Sequence, residues 1–157
     1  MKKSLVSVFS GLFMFAMVSC GVSPTQYNDK VVDIHTKTSN YLTSVSDKLE
    51  DSALSAAEKQ SIADSLKINI DAWTAQIKGL KYPESAKELQ GSMVKYFELL
   101  QNEVVPVMQK LFLSTNDQEY NSNADAFRAI LDKGSKMEDE IENLQIDFAK
   151  KNNMELR

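Results

Sequence analysis

The sequence predicts an all-α protein, an up-down-up-down antiparallel four-helix bundle of long helices. Apolar residues recur at alternating steps of three and four in four separate stretches, which lines each set along one helical face. No stretch shows the two-residue alternation of a strand. The breaks between stretches are short, and short connections make sequential helices antiparallel neighbours.

The first stretch is Tyr27, Val31, Ile34, Thr38, Tyr41, Val45 and Leu49. Ser23-Pro24-Thr25-Gln26 opens it as a capping box with proline at the first helical position, where its missing N–H costs nothing. Ser55-Ala56-Ala57-Glu58 is a second box, placed before Ile62, Leu66, Ile70, Trp73, Ile77 and Leu80. Pro83 and Glu84 open the third stretch, Ala86, Leu89, Met93, Tyr96, Leu100, Val104, Val107 and Leu111. The fourth is Phe127, Ile130, Gly134, Met137, Ile141, Leu144 and Phe148, with Ser122 and Asp125 as its expected caps. Breaks are expected at about Asp51 to Leu54, Gly79 to Tyr82 and Ser114 to Asn121. Four helices of roughly 25 to 30 residues result, each about 40 Å long. A pair of long hairpins that close only on dimerising satisfies the same pattern, so monomer and dimer both remain open.

Ahead of the first helix the chain has a different character. Lys2 and Lys3 precede a run of about fourteen mostly apolar residues, Leu5 to Val18, suited to a secretion signal and too short to span a bilayer. The run ends in Met17-Val18-Ser19-Cys20-Gly21, which resembles the lipobox of bacterial lipoproteins. That resemblance implies cleavage between Ser19 and Cys20 and acylation of the Cys20 thiol. Several acyl chains on one residue anchor stably where a single chain is marginal. The expected organisation is a removed signal over 1–19, a lipidated cysteine and short tether over 20–23, and one helical domain over 24–157.

Composition removes several chemistries. Cys20 is the only cysteine, so the mature domain has no intrachain disulfide and no thiolate metal site. Loss of Lys2 and Lys3 with the signal leaves 16 basic against 22 acidic side chains, a net charge of −6. Nucleic acid is a poor partner for such a chain, because phosphate binding shows as an excess of Lys and Arg. His35 is the single histidine, too few for a His-rich zinc site or a ferritin-like di-iron site. Haem needs only two axial ligands, and His35 falls at about the height of Met93. Met93 also fits the core spacing with no metal at all, and packing is the simpler reading. Glu138, Asp139, Glu140 and Glu142 lie between the core positions Met137, Ile141 and Leu144, which marks them as a solvated flank and not an acid–base pair. No catalytic residue is expected. Pro106, Trp73 and Gly134 are the positions where a cavity would arise; close packing around Gly134 is the expectation, since interiors seldom keep empty space.

A tether of three or four residues places the start of the first helix at the membrane, and alternation then brings the second turn and the C-terminus to the same end. That end would show Lys78, Lys81, Tyr82, Lys87, Lys150, Lys151 and Arg157, a set suited to anionic headgroups; the simpler reading is that Lys150 and Lys151 complement a helix C-terminal dipole and the rest are solvated. The distal end would show Asp51 and the longest loop, in which Asp117, Glu119, Tyr120 and Asn121 are the candidate partner-binding residues. Asp51-Ser52-Ala53 resembles the short sequon that Bacteroidetes use for O-glycosylation, which makes Ser52 a candidate site; Asp64-Ser65-Leu66 shows how readily so loose a pattern recurs.

Lipobox and long amphipathic helices together resemble the uncharacterised helical lipoproteins common in Bacteroidetes and spirochaetes. The resemblance covers the whole chain, rests on architecture, and transfers no functional residue. It implies a lipid-anchored envelope protein. Gly21 is not the Asp that retains lipoproteins at the inner membrane in enteric bacteria, and residues 21–26 lack the acidic cluster that resembles a surface-export signal in Bacteroidetes. The outer membrane facing the periplasm is therefore expected, with the cell surface as second choice, an envelope protein as partner and no cofactor. A carrier holding haem or a small apolar ligand inside the bundle is the alternative.

Overall fold

The computed structural model describes residues 22–51 and 53–155, and among them every regular element is helical. Helix α1 runs Pro24–Asp47 and α2 Ala56–Gly79. A third rod joins α3 (Lys87–Leu99), a wide π-turn (Leu100–Val104) and α4 (Val105–Leu113); α5 (Asp117–Lys151) is the fourth. Single 3₁₀ turns at Lys48–Glu50 and Glu84–Ala86 finish α1 and lead into α3.

Local chemistry sets the ends. Ser23 Oγ accepts the Gln26 N–H at 3.1 Å, the one half of the expected box that forms. At Ser55 both halves form: its Oγ accepts the Glu58 N–H at 3.3 Å, and the Glu58 carboxylate accepts the Ser55 N–H at 2.8 Å. The Ser55 hydroxyl, which donates to Glu58 Oε2 at 2.6 Å, and then the Ser55 N–H hold the Glu58 carboxyl below its ordinary pKa. Helix α5 ends in a Schellman arrangement, with Met154 N–H donating to Ala149 O at 2.9 Å and Asn153 N–H to Lys150 O at 3.2 Å. Asn153 supplies the left-handed residue at φ 52°, a conformation asparagine tolerates better than most side chains.

The fourth rod starts earlier than its sequence suggests. The Ser114 to Asn121 break shrinks to Ser114–Asn116, and Ser122 and Asp125 lie inside α5. Asn116 is the N-cap: its Oδ1 accepts the Glu119 N–H at 2.9 Å, and Glu119 Oε2 reaches back to the Thr115 N–H at 3.0 Å. Asp125 instead pairs with Arg128 at 2.6 Å.

A second correction concerns Pro106. Proline has no N–H to donate, and its ring collides with the carbonyl four residues back. The rod answers with the π-turn, in which Val105 N–H donates to Leu100 O, five residues away. The extra residue widens the buried face: Leu100, Val104 and Leu111 stay buried as expected. Val105, Met108 and Phe112 become core while Val107 is only half-buried. On α2 the central line likewise runs through Ala63, Leu66, Ile70, Thr74 and Ile77, leaving Ile62 and Trp73 on its flanks.

The core gathers on the third rod. Tyr27, Leu66, Ile70, Ile77, Met93, Phe97, Met108 and Phe148 are all but sealed from solvent. Helix α2 packs closely on α1, α3 and α4, and α5 packs on α3 and α4. Polar bonds run the length of these contacts. Gln90 meets Ile77, Thr74 meets Phe97, Gln101 meets Asp71 and Gln109 meets Ala63 between α2 and the third rod. Ser85 meets Asn152, Ser92 meets Glu140, Tyr96 meets Glu138, Glu103 meets Lys133 and Ser114 meets Asn123 between that rod and α5.

Candidate functional site

The first and last helices leave a gap between them. They touch at one end, where Tyr27 and Phe148 meet edge-to-face with ring centroids 5.7 Å apart and Gln145 Nε2 donates to Asn28 Oδ1 at 3.0 Å. Farther along, from Ser39 to Ser46 on α1 and from Phe127 to Glu138 on α5, they border a recess of about 400 Å³ floored by Tyr96, Leu99, Leu100, Val104 and Met108 of the third rod. A volume of this size, apolar with a few polar groups at its edge, is the ordinary shape of a ligand site. A second recess of about 450 Å³ continues from it, sharing Ser39 and Glu138, and a third of about 560 Å³ follows, sharing Val32 and Gln145. The first two adjoin as one groove along the α1/α5 seam, and the third borders the Gln145–Asn28 bond that crosses it.

The reason lies in α5. Its buried residues are Ile141, Phe148 and Ala149, all in its second half. Phe127, Ile130 and Met137 are half-buried, and Leu131 is 49% exposed. The apolar face predicted from the sequence exists, but its first half meets nothing that seals it. Gly134 lines the first recess, and a Cβ placed there would meet only Leu99 Cδ2 at 3.7 Å, an ordinary contact. Packing around Gly134 is partial: Leu99 lies in ordinary contact on one side and the recess adjoins the other.

At the middle of the groove a polar cluster joins three rods. The Tyr96 hydroxyl donates to Glu138 Oε1 at 2.5 Å, and His35 Nε2 lies 4.0 Å from the same oxygen. The His35 ring stands 5.7 Å from that of Tyr96. Burial, reinforced by the Glu138 carboxylate, pushes the Tyr96 phenol far above the ordinary tyrosine range. Burial does the same to Tyr27, with a smaller push from Tyr82; its hydroxyl donates to Gln90 Oε1 at 2.9 Å, and Gln90 Nε2 donates to Ile77 O at 2.7 Å. Both phenols are held as donors and are unsuited to act as bases. The acidic flank of α5 is exposed as expected, yet two of its carboxylates engage α3: Glu138 through Tyr96, and Glu140 through Ser92 Oγ at 3.0 Å. Helical periodicity marks such positions as polar and is silent on which neighbour they bond.

The residues singled out from the sequence are distributed as follows. Ser19, Cys20 and Ser52 lie outside the described residues. Asp117, Glu119, Tyr120 and Asn121 are exposed together in the first turn of α5, so the segment expected as a loop is helical. Glu119 is committed to the cap, and Asp117 sits where a helix N-terminus favours an acid. His35 and Met93 line the same recess, with Met93 wholly buried. Trp73 packs edge-on against Tyr41 with centroids 5.4 Å apart. Among the cations of the predicted membrane end, Lys78 pairs with Glu98 at 2.9 Å, Lys87 with Glu84 at 3.6 Å and Lys150 with Asp147 at 3.9 Å. Among the described residues no group of three or more His, Cys, Asp or Glu is placed to hold a metal ion, and no helix is long and apolar enough to cross a membrane.

Comparison with protein-family models, curated proteins and solved structures finds no match for this chain. Its function is to be read from its own residues.

Proposed function

We propose that this chain is a lipid-anchored protein of the bacterial cell envelope, a non-enzymatic helical module that works by contact with another envelope protein. The observation that carries the anchor is the run from Lys2-Lys3 through an apolar stretch to Met17-Val18-Ser19-Cys20, followed by a helix cap at Ser23. The observation that favours contact over catalysis is the groove itself, which is long, apolar at one end and bordered by exposed side chains.

The arrangement we propose is the up-down-up-down antiparallel bundle. Cross-rod pairings support it, since numbers rise along the third rod as they fall along both α2 and α5. In that arrangement Ser23, the α2–α3 connection and Asn152 share the lipid-facing end, and the α1–α2 and α4–α5 turns point away. An outer-membrane position facing the periplasm is our first choice of address.

Intact mass of the protein from its own envelope tests the anchor. A chain beginning at Cys20 and carrying acyl groups is expected, and Cys20→Ser is expected to leave the membrane fraction. An unacylated chain, or a variant that stays membrane-bound, would overturn the reading.

A carrier role is the second reading, favoured by the recess that His35 and Met93 both line. Haem ligation there requires Met93 to leave its buried position, so a Soret band on reconstitution that His35→Ala abolishes is the result that would promote it.

A further inference from the structure

From the charge and shape of the α1/α5 groove we infer that its occupant is a basic amphipathic helix of the partner protein, with apolar anchors seated between Leu42 and Phe127 and Lys or Arg side chains along Glu138 and Glu142. The inference rests on the reading of the chain as a contact module and adds the chemistry of the contact.

Three observations carry it. The charged groups lining the three recesses are Asp29, Glu138, Glu142 and Glu155; His35 is the one basic side chain among the lining residues, and none of them is Lys or Arg. A groove lined by one sign of charge concentrates the opposite sign and rejects its own. The Phe127 end is apolar, with Leu131 exposed at its rim and only Leu99 Cδ2 within 4 Å of a Cβ added at Gly134. Two rods flank a third that forms the floor, the geometry in which an amphipathic helix lays its apolar face into a groove. Beyond the Tyr27/Phe148 contact, α1 from Val31 to Ser46 supplies a wall of 16 residues, about 24 Å, enough for four or so helical turns of a ligand.

The groove has a direction. Acids cluster toward the Tyr27/Phe148 end and aliphatic and aromatic side chains toward the Phe127 end, so the ligand carries its large apolar residues at one end and its cations at the other. A small apolar molecule would fill the recess at the Phe127 end and ignore the acids. A second copy of this chain would bring the same acids against themselves.

The full chain in zwitterionic nanodiscs is titrated with a fluorescent Leu/Lys amphipathic peptide of about 18 residues, long enough for five turns. Anisotropy is the readout, with empty discs subtracted. This arrangement does not depend on how the N-terminus is processed, which the mass measurement decides separately. Saturable binding is expected. A Leu/Glu peptide with the same apolar stripe should bind about tenfold more weakly or worse. Gly134→Leu, whose Cβ would meet only the Leu99 side chain and whose bulk is added at the recess lining, should lose about tenfold with unchanged helicity by circular dichroism. Asp29 and Glu142 are exposed, so the double variant Asp29→Lys/Glu142→Lys should fold normally and reverse the preference toward the Leu/Glu peptide. Equal binding of a scrambled Leu/Lys peptide, full affinity in Gly134→Leu, or an unreversed preference in the double variant would overturn the inference. So would sedimentation as a dimer that the Leu/Lys peptide fails to dissociate.

Discussion

The two sides of this bundle are built from similar apolar stripes and end in different states. Between α2 and the third rod the stripes close: Leu66, Ile70, Phe97 and Met108 are sealed, and Gln90, Gln101 and Gln109 bond across the joint. Between α1 and α5 the same spacing of apolar residues leaves Phe127, Ile130 and Met137 half-exposed over a groove. Burial of an apolar stripe requires a partner at the right distance, and α1 is committed to α2. The first side is where stability is made; the second is where apolar surface is left uncovered.

Substitutions of similar size should separate the two sides. Phe97→Ala on the closed side opens a cavity in a packed core and is expected to cost about 3–5 kcal/mol by urea denaturation. Phe127→Ala on the open side removes a half-solvated ring with no cavity to create, and about 1 kcal/mol or less is expected. Comparable losses at the two positions would erase the distinction.

Alkaline titration probes the buried phenols that tie α1 and α5 to the third rod. The folded state holds the protons of Tyr27 and Tyr96 well above the ordinary tyrosine value, while the unfolded chain releases them near pH 10. Below that pH both states keep the protons and neither tyrosine contributes to the slope. Above it the unfolded state binds fewer protons, so stability falls by up to about 1.4 kcal/mol per pH unit for each tyrosine. Tyr27→Phe should remove its share of the slope. At neutral pH the same variant leaves the Gln90 carbonyl without its donor in the core, an expected loss of about 1–3 kcal/mol. The smallest effect expected has the opposite sign. Gly134→Ala meets no obstacle and replaces a glycine inside a helix, so a gain of about 0.5–1 kcal/mol should appear in the same denaturation assay.

Much of the closed side was legible in the sequence because periodicity reports which face of a helix is apolar. Ser23, Ser55 and Glu58 announced two helix starts, and the second appears in full. The start of α5 was misplaced because Asn, Ser and Asp between 114 and 125 have the composition of a loop; the Asn116–Glu119 spacing, itself a capping pattern, was the signal that could have found it. The added burial of Val105, Met108 and Phe112 past Leu100 follows from a proline whose local remedy, a kink or a π-turn, the sequence does not choose. The groove was invisible for a deeper reason. Spacing marks Phe127, Ile130 and Gly134 as an apolar face, but whether another rod comes near enough to cover that face is decided by how all four pack together. The pairing of Glu138 with Tyr96 was hidden in the same way.

Native-state hydrogen exchange reads the difference between the two sides residue by residue. Amides of α3 from Leu89 to Leu99 should exchange only through global unfolding, and those of α5 from Tyr120 to Gly134 should exchange roughly a hundredfold faster through local opening. Equal protection along the two segments would mean that the α1/α5 seam is closed in solution, and the account of this protein as a bundle with one open side would fail.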